Sequence, residues 1–257
     1  MVEVQTVSGI KVKLRETRSW EPWMEELESD PRKSVQTLLR GWKRKFKLAE
    51  DMTNRHLEKI SFDASYKKSS KDLLAGIDEA GRGPLAGPVV TAAVILPTDC
   101  SGLLGIDDSK GLSRDKRNRF AAMIKEQAIS YAIHIQSPSE IDRLNIYQAT
   151  KQSMAKAVAK LSEQPAVLLA DAMQVEAGIL CHSIIKGDAK SLAIAAASIL
   201  AKTERDAIMD AYALQYPEYG FDQHAGYGTA IHVEALHSVG PCAIHRKTFE
   251  PVKSLLG

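Results

Sequence analysis

The chain has 257 residues, of which 44% are hydrophobic and 26% charged, a composition typical of a globular protein with one large domain or two modest ones. This excludes a small disulfide scaffold, a disordered chain and a membrane-spanning protein, because the longest apolar run is too short to cross a bilayer. The three cysteines, an odd number, and an N-terminus without signal-peptide character predict a cytoplasmic protein. We expect no membrane contact.

The net charge of +2 conceals an asymmetry along the chain. Residues 1–72 carry 16 Lys and Arg against 12 Asp and Glu, whereas residues 73–257 carry 18 against 20. Five cations fall in the segment Arg40–Lys47, with Trp42 and Phe46 between them. This segment is either the solvated basic face of an amphipathic helix that begins at Asp30-Pro31 and buries its aromatic residues, or a face that also contacts nucleic acid.

A domain boundary is predicted near residue 72. Residues 61–72 are polar and serine-rich and lose the helical period, which is typical of a linker. The sequence therefore predicts a small, mostly helical, basic extension over residues 1–72 that aids substrate binding, followed by the main domain over residues 73–257.

The main domain begins with two predicted strands joined by a glycine-rich loop. The strands are Leu73–Ile77 and Val89–Leu96, and the loop between them contains three glycines and two prolines. A dinucleotide-binding turn leads into a helix, whereas here a second apolar, β-rich run follows. The pattern therefore indicates an antiparallel pair of strands, and the loop glycines allow the backbone to approach a ligand closely.

Four acidic residues stand at predicted strand ends or helix starts. Asp78 and Glu79 follow the first strand, Asp171 follows the run Val167–Ala170, and Asp188 follows a short strand and turn. Carboxylates from separate elements can converge on a hard cation such as Mg²⁺. Adjacent strand residues point to opposite faces, so Asp78 and Glu79 share one site only if the strand ends or bulges there. Each acid alone is equally consistent with a turn or cap, and Asp188 could cap the following helix.

The remaining elements predict an α/β fold with a mixed sheet. A third strand is expected at Tyr131–Ile135. Three helices are expected from Ser113 to Ala128, over residues 146–161 and over Lys190–Gln215.

Residues 73–257 resemble the type 2 ribonuclease H family, ribonuclease HII. The most specific match is Gly76-Ile-Asp-Glu-Ala-Gly-Arg-Gly-Pro-Leu-Ala-Gly-Pro-Val89. Further matching segments follow in the family's order: Asp108-Ser-Lys110, Asp171, Lys186-Gly-Asp-Ala-Lys-Ser191 and Gly226-Tyr-Gly-Thr229 with His232. The resemblance implies a ribonuclease H-like fold, with a mixed sheet flanked by helices, and endonucleolytic hydrolysis of the RNA strand of RNA–DNA hybrids.

The resemblance also implies nicking on the 5′ side of a single ribonucleotide in duplex DNA, leaving 3′-hydroxyl and 5′-phosphate ends. The cofactor would be a pair of Mg²⁺ or Mn²⁺ ions held by the catalytic carboxylates Asp78, Glu79, Asp171 and Asp188. Such a pair activates the attacking water and stabilises the leaving oxygen.

Further residues are assigned to the substrate by the same resemblance. The loop Gly81-Arg82-Gly83 would sense the 2′-hydroxyl through backbone groups, and Tyr227 would stack on the deoxyribose next to the ribonucleotide. The other substrate-binding candidates are Ser109, Lys110 and Lys186, with Lys190 and His232 as weaker ones. The remaining histidines His182, His224, His237 and His245 are expected to be structural or solvent-facing.

Two departures and two alternatives accompany this interpretation. Gly111 and Ala230 stand where many relatives carry basic residues, which lowers the expected affinity for substrate. One alternative is an enzyme like ribonuclease HIII, which acts mainly on long hybrids, although Arg82 favours type HII. The other is a non-catalytic nucleic-acid-binding protein. A monomer is expected, and the sequence identifies no protein partner.

Overall fold

The computed structural model describes residues 6–106, 109 and 111–257. Two compact units, residues 1–57 and 58–257, are described separately below. No helix in the described part of the chain is long and apolar enough to cross a membrane.

The first unit consists of helices packed around a small apolar core. Helix α1 (Val7–Glu16) begins at Thr6, whose hydroxyl accepts a hydrogen bond from the Gly9 amide. Helix α2 (Trp23–Glu28) follows, and α3 extends over Lys33–Ser65. The buried side chains come from all three helices: Ile10, Leu14, Met24, Leu27, Val35 and Leu39.

The start of α3 differs from the prediction. The Asp30 carboxylate accepts hydrogen bonds from the Arg32 amide and guanidinium, so it fixes the turn before the helix, which begins at Lys33. The predicted aromatic stripe is only partly buried. Val35 and Leu39 are fully packed, whereas Trp42 and Phe46 are half-exposed.

The predicted linker over 61–72 is wrong in its first part, because α3 continues through Ser65. Phe62 packs against the apolar cluster beneath the sheet of the second unit, and the Asp63 carboxylate accepts a hydrogen bond from the Ala193 amide. Contacts with residues far along the chain therefore maintain the helix where its own periodicity fades. The compact second unit accordingly begins at Glu58, before the predicted boundary.

The second unit is built on a five-stranded mixed sheet, as predicted. Its strands are β1 (Leu74–Ala80), β2 (Val89–Ile95), β3 (Ser130–Gln136), β4 (Val167–Asp171) and β5 (Leu180–Ile184). The spatial order is β3-β2-β1-β4-β5, with β1 antiparallel to β2 and parallel to β4. The central strand β1 is therefore flanked on both sides and contains both Asp78 and Glu79.

Helices cover both faces of this sheet. They are α4 (Arg114–Gln127), α5 (Pro138–Leu144), α6 (Ile146–Ala159), α7 (Gly187–Lys190), α8 (Leu192–Gln215), α9 (Phe221–His224), α10 (Ala230–Val239) and α11 (Val252–Leu256). The long helix α8 lies on one face with α4, and α6 lies on the other. Ser113 caps α4, as predicted.

Strand β1 packs directly against the backbone of α8 at Gly76. A Cβ atom at this position would lie 2.1 Å from the backbone carbon of Ala193. Only glycine therefore allows the strand that carries Asp78 and Glu79 to approach α8 this closely.

Replacement of Gly76 by alanine is expected to lower the free energy of unfolding by about 3 kcal/mol, because a backbone atom cannot move aside as a side chain can. Urea denaturation measures the change. The matched control is Gly41→Ala in α3, where a Cβ meets nothing within 4 Å and a gain of about 0.5–1 kcal/mol is expected from helix propensity. A loss at Gly76 below about 0.5 kcal/mol, the range of most surface substitutions, would contradict this account.

Candidate active site

Two neighbouring strands bring three carboxylates to one edge of the sheet. The parallel pairing of β1 with β4 aligns Ile77 with Ala170, so the next residues, Asp78 and Asp171, follow side by side. Glu79 is one residue further along β1, which stays paired with β2 through Ala80. The strand therefore neither ends nor bulges on its β2 edge, and the acids share a site because the pairing with β4 stops at Ile77.

Asp188 reaches the same edge through β5 and the turn that follows it. Lys186 adopts a left-handed conformation (φ 55°), and the Gly187 amide donates a 2.7 Å hydrogen bond to Oδ1 of Asp171. Asp188 is not the N-cap of the long helix α8, since the Ser191 hydroxyl accepts the bond from the Ile194 amide. The capping alternative for Asp188 is therefore wrong.

These side chains line one cavity of about 550 Å³. The predicted site residues among its lining are Asp78, Glu79, Gly81, Arg82, Gly83, Ser109, Asp171, Asp188 and Tyr227. Four further polar side chains also line it: Arg117, Ser198, Lys202 and Arg205. The structure thus brings together residues that lie up to about 150 positions apart in the sequence.

Two other candidates lie elsewhere. Lys186 and Lys190 are exposed on α7 and the turn before it, and neither lines the cavity. Lys110 lies outside the described residues. Ser109 is buried, and its hydroxyl is 3.0 Å from that of Ser198 on α8.

The carboxylates at the centre of the cavity repel one another in a buried environment. Burial raises the pKa of Asp78 well above its ordinary value, and the charges of Glu79 and Asp171 raise it further. Burial also raises the pKa of Glu79, although the guanidinium of Arg82, 3.3 Å from Oε1, opposes this. Positive charge at this place would stabilise the ionised forms of both groups.

The donor set fits a divalent cation. Oε2 of Glu79 is buried and has no hydrogen-bond partner in the described part of the chain, and the surrounding donors are carboxylate oxygens, which Mg²⁺ and Mn²⁺ prefer. No three such side chains among the described residues meet the distances of a metal site. Asp78, Asp171 and Asp188 each accept a hydrogen bond from a backbone amide through Oδ1. Asp78, Glu79, Asp171 and Asp188 are the residues that would hold the metal.

The glycine-rich loop is fixed next to these acids by its backbone conformation. Gly81 has φ +97°, and a Cβ there would lie 2.0 Å from Nε of Arg205. At Gly83 a Cβ would be 3.6 Å from the ring of Tyr227. The loop therefore passes between a buried guanidinium and the tyrosine with no room for side chains at its first glycine.

Two buried arginines hold this loop, and sequence reasoning missed both. The guanidinium of Arg246 donates to the carbonyl oxygens of Gly81 (2.5 Å), Arg82 (2.8 Å) and Gly87 (2.9 and 3.0 Å). Arg205 donates in the same way to the carbonyl oxygens of Pro88, Ala86 and Ala225.

The two guanidinium groups are almost fully buried, at 0% and 1% exposure. Burial, together with the charge of the neighbouring Arg205, lowers the pKa of Arg246 to about 9. Because a loop in irregular conformation leaves carbonyl oxygens without backbone partners, the planar forks of Arg246 and Arg205 supply the missing donors. No local motif reveals this, since arginine in a sequence usually indicates an exposed position.

Tyr227 is held by a chain of histidines. His232 Nδ1 donates to the Tyr227 carbonyl (2.9 Å), so its Nε2 is the acceptor for Nε2 of His245 at 3.0 Å. His245 Nδ1 in turn accepts from the Cys242 amide. This sequence of donors and acceptors is complete only when both imidazoles are neutral.

The environment of the two histidines agrees with that assignment. Burial, together with the neighbouring His232, lowers the pKa of His245 to about 4. His232 is fully buried and stacks on His224, with ring centroids 4.7 Å apart. His224, His232 and His245 are thus structural, and Tyr227 itself remains 47% exposed to the cavity.

Family models and relatives of known sequence match this chain over most of its length. A family model described as ribonuclease HII matches residues 75–252, and one described as the ribonuclease HII N-terminal domain matches residues 6–67. A ribonuclease HII from Bacillus velezensis is 47% identical over 250 residues, covering 97% of this chain and 98% of the relative.

Solved structures show the same fold. The crystal structure of the ribonuclease H2 from Pyrococcus horikoshii OT3 superposes with a TM-score of 0.63 at 26% identity, covering 71% of this chain and 96% of that one. A structure of Bst-RNase HIII in complex with Mn²⁺ has a TM-score of 0.58 at 21% identity, covering 74% of this chain and 70% of that chain.

The sheet, the carboxylate cavity and these neighbours define a hydrolase of the ribonuclease H class, an endonuclease whose relatives act on RNA–DNA hybrids with divalent metal ions. Within that class the chain belongs to the ribonuclease HII family, whose models match most of its length. The predicted resemblance and fold class are confirmed.

The conservative substitution Arg246→Lys tests the support of the loop. Lysine keeps the charge, but its three N–H donors share one nitrogen and cannot reproduce the planar fork in which three separate nitrogens reach the carbonyl oxygens. We therefore expect a loss of about 3 kcal/mol in unfolding free energy and at least a roughly tenfold loss in kcat/KM for hybrid cleavage. The control is Arg119→Lys on the exposed surface of α4. Wild-type stability and activity in Arg246→Lys would show that the loop holds its shape without the fork.

The histidine chain predicts a pH dependence of stability. Because the pKa of His245 is about 4 in the folded protein and about 6.5 in the unfolded chain, the unfolded state binds the proton first. The stabilisation is complete above pH 6.5, roughly the unfolded value, and about 3 kcal/mol of it is lost as the pH falls to 4.

Urea denaturation between pH 7.5 and pH 4 measures this loss. The variant His245→Gln is expected to be less stable at pH 7.5 but to show a shallower decline toward pH 4. His237→Gln, at an exposed position of α10, serves as the control and keeps the wild-type decline. Parallel curves for wild type and His245→Gln would assign the acid sensitivity to other groups.

Proposed function

We propose that this protein nicks duplex DNA on the 5′ side of a single embedded ribonucleotide, as the first step of ribonucleotide removal in the cytoplasm, and that it also cleaves longer RNA–DNA hybrids. The observation that carries the proposal is the joint lining of one cavity by four carboxylates, the Gly81–Gly83 loop and Tyr227. Chemistry, recognition of one sugar and contact with its neighbour thus share a single site.

The loop supplies the recognition of ribose. Its backbone is held by Arg205 and Arg246, so its peptide groups present fixed donors and acceptors to a sugar in the cavity. A 2′-hydroxyl both donates and accepts hydrogen bonds, and this distinguishes a ribonucleotide from a deoxyribonucleotide. Since fixed groups lose little entropy on binding, a single ribose suffices for recognition.

Tyr227 supplies the second part of the specificity. Its half-exposed ring lies beside Gly83, where it can pack on the sugar that follows the ribonucleotide. A deoxyribose at this position lacks the 2′-hydroxyl, so the sugar can contact the tyrosine ring directly. This arrangement favours a junction of RNA with DNA over the interior of a long hybrid.

The four carboxylates would hold the metal ions, which would in turn bind the phosphate. Two Mg²⁺ or Mn²⁺ ions at such a site activate the attacking water and stabilise the leaving oxygen. Three of these carboxylates come from the sheet: Asp78 and Glu79 from β1, and Asp171 from β4. The fourth, Asp188, comes from α7. Arg82, Arg117 and Lys202 add positive charge that attracts the phosphate backbone to this acidic cavity.

Cleavage of end-labelled duplexes tests the proposal. The substrates carry no ribonucleotide, one ribonucleotide or four consecutive ribonucleotides, and each is incubated with Mg²⁺, Mn²⁺ or a chelator. We expect a metal-dependent nick 5′ of the single ribonucleotide, with 3′-hydroxyl and 5′-phosphate ends, and none in plain DNA. Asp78→Asn, which removes one charge of the cation site, is expected to reduce cleavage of both RNA-containing substrates at least roughly 10³-fold.

The variant Tyr227→Ala is expected to lose more activity on the single-ribonucleotide duplex than on the four-ribonucleotide duplex, by roughly tenfold in the ratio of kcat/KM. Tyr227→Phe keeps the ring and is the matched control. Cleavage of the longer RNA run alone by the wild type would favour the alternative that resembles ribonuclease HIII. Equal background with wild type and Asp78→Asn on all substrates would favour a non-catalytic binding protein.

A further inference from the structure

A groove of about 720 Å³ lies in the first unit, between α1 and α3. Its rim is formed by four cations, Lys11, Arg15, Arg18 and Lys45. Its floor contains the aromatic rings of Trp42 and Phe46, which stack on each other with centroids 5.1 Å apart and planes 7° from parallel. Among the residues that the structure describes, no acidic side chain lines the groove.

The four rim cations form no ion pairs within the described part of the protein. All four side chains are exposed. Lys11 and Arg15 are four residues apart on one face of α1, and Arg18 follows just after the helix ends. Like charges so placed repel one another, so a polyanion in the groove would stabilise the arrangement.

The opposite side of the aromatic pair provides an internal comparison. There Trp20, Trp42 and Phe46 border a second hollow, whose charged groups are Glu25, Glu28 and Lys43. Lys43 is paired with Glu28 and lies over the Trp20 ring. The two hollows thus share the same aromatic rings but differ in charge, and only the first is suited to an anion.

The groove contains empty space above Gly41. This glycine lies inside α3 on the groove floor, where glycine costs about 1 kcal/mol of helix stability compared with alanine. A Cβ at this position would meet nothing within 4 Å, so the small residue is not required by packing within the protein. The space above it is available to a ligand.

We infer that this groove binds a single strand of nucleic acid. Its phosphates would lie along the cationic rim, and its bases or sugars would pack on the Trp42–Phe46 floor. Paired cations and aromatic rings are the common features of surfaces that bind single strands, because every base offers a face for stacking. A duplex would offer its phosphates but not its bases to the floor.

The binding site differs from the one suggested by the sequence. The basic segment Arg40–Lys47 contributes only Lys45 to the rim, while the other rim cations come from α1. The inference is also independent of the proposed cleavage, since it concerns DNA without ribonucleotides and binding in the absence of metal.

The experiment uses the intrinsic fluorescence of the full-length protein. All three tryptophans, Trp20, Trp23 and Trp42, lie in the first 57 residues, so their emission reports on this unit alone. A 12-residue oligothymidylate is titrated in the presence of a chelator over a series of salt concentrations. We expect quenching of the emission, tighter binding of the single strand than of a 12-base-pair duplex, and weakening with salt.

The test variant replaces Lys11, Arg15, Arg18 and Lys45 by glutamine. We expect affinity for the oligothymidylate to fall roughly tenfold or more and the slope of log K against log salt to decrease by about 3. The matched control replaces four other cations by glutamine and so removes the same charge: Lys33, Arg40, Arg44 and Lys47. These residues are exposed on the first part of α3 and do not line the groove. It should keep most of the affinity.

A second variant, Gly41→Gln, fills the groove without changing the charge, and helix propensity favours it. It should weaken binding of the oligothymidylate, whereas Gly41→Ala should weaken it less. Equal losses in the two fourfold variants would overturn the inference in favour of diffuse electrostatic attraction. Equal quenching by polyglutamate, or by the duplex, would overturn it in favour of a general polyanion surface or a duplex-binding surface.

Discussion

The site depends on the repulsion between carboxylates that the sheet forces together. Parallel pairing of β1 with β4 places Asp78 beside Asp171, and the next residue adds Glu79. In a buried cavity this costs free energy, and it raises the pKa of Asp78 and Glu79. The cost is tolerated because Gly76 locks β1 against α8, and the same unfavourable field gives a divalent cation its affinity.

A second constraint fixes the recognition loop with cations instead of backbone pairing. Arg205 and Arg246 donate to six carbonyl oxygens of the glycine-rich loop and the segment before Tyr227, without a carboxylate partner. Charged donors make stronger hydrogen bonds than neutral ones and resist exchange with water when buried. The loop can therefore be irregular and still hold one conformation.

The two units differ in the charge that lines their cavities. The second unit concentrates carboxylates in one cavity, which is also lined by the cations Arg82, Arg117 and Lys202, each paired with a carboxylate. The first unit instead collects unpaired cations around aromatic rings.

The sequence alone determined the sheet class, the antiparallel β1–β2 pair, the Ser113 cap and the family, because alternation, capping and a dense motif around Asp78 are local signals. Only the tertiary structure decided that α3 continues to Ser65 and that Arg246 donates hydrogen bonds to the glycine-rich loop. The groove that α1 forms with Trp42 was likewise visible only in the structure. These depend on contacts between residues far apart along the chain. Local propensity does not encode such contacts: Arg246 looks like any surface arginine until folding buries it among carbonyl oxygens.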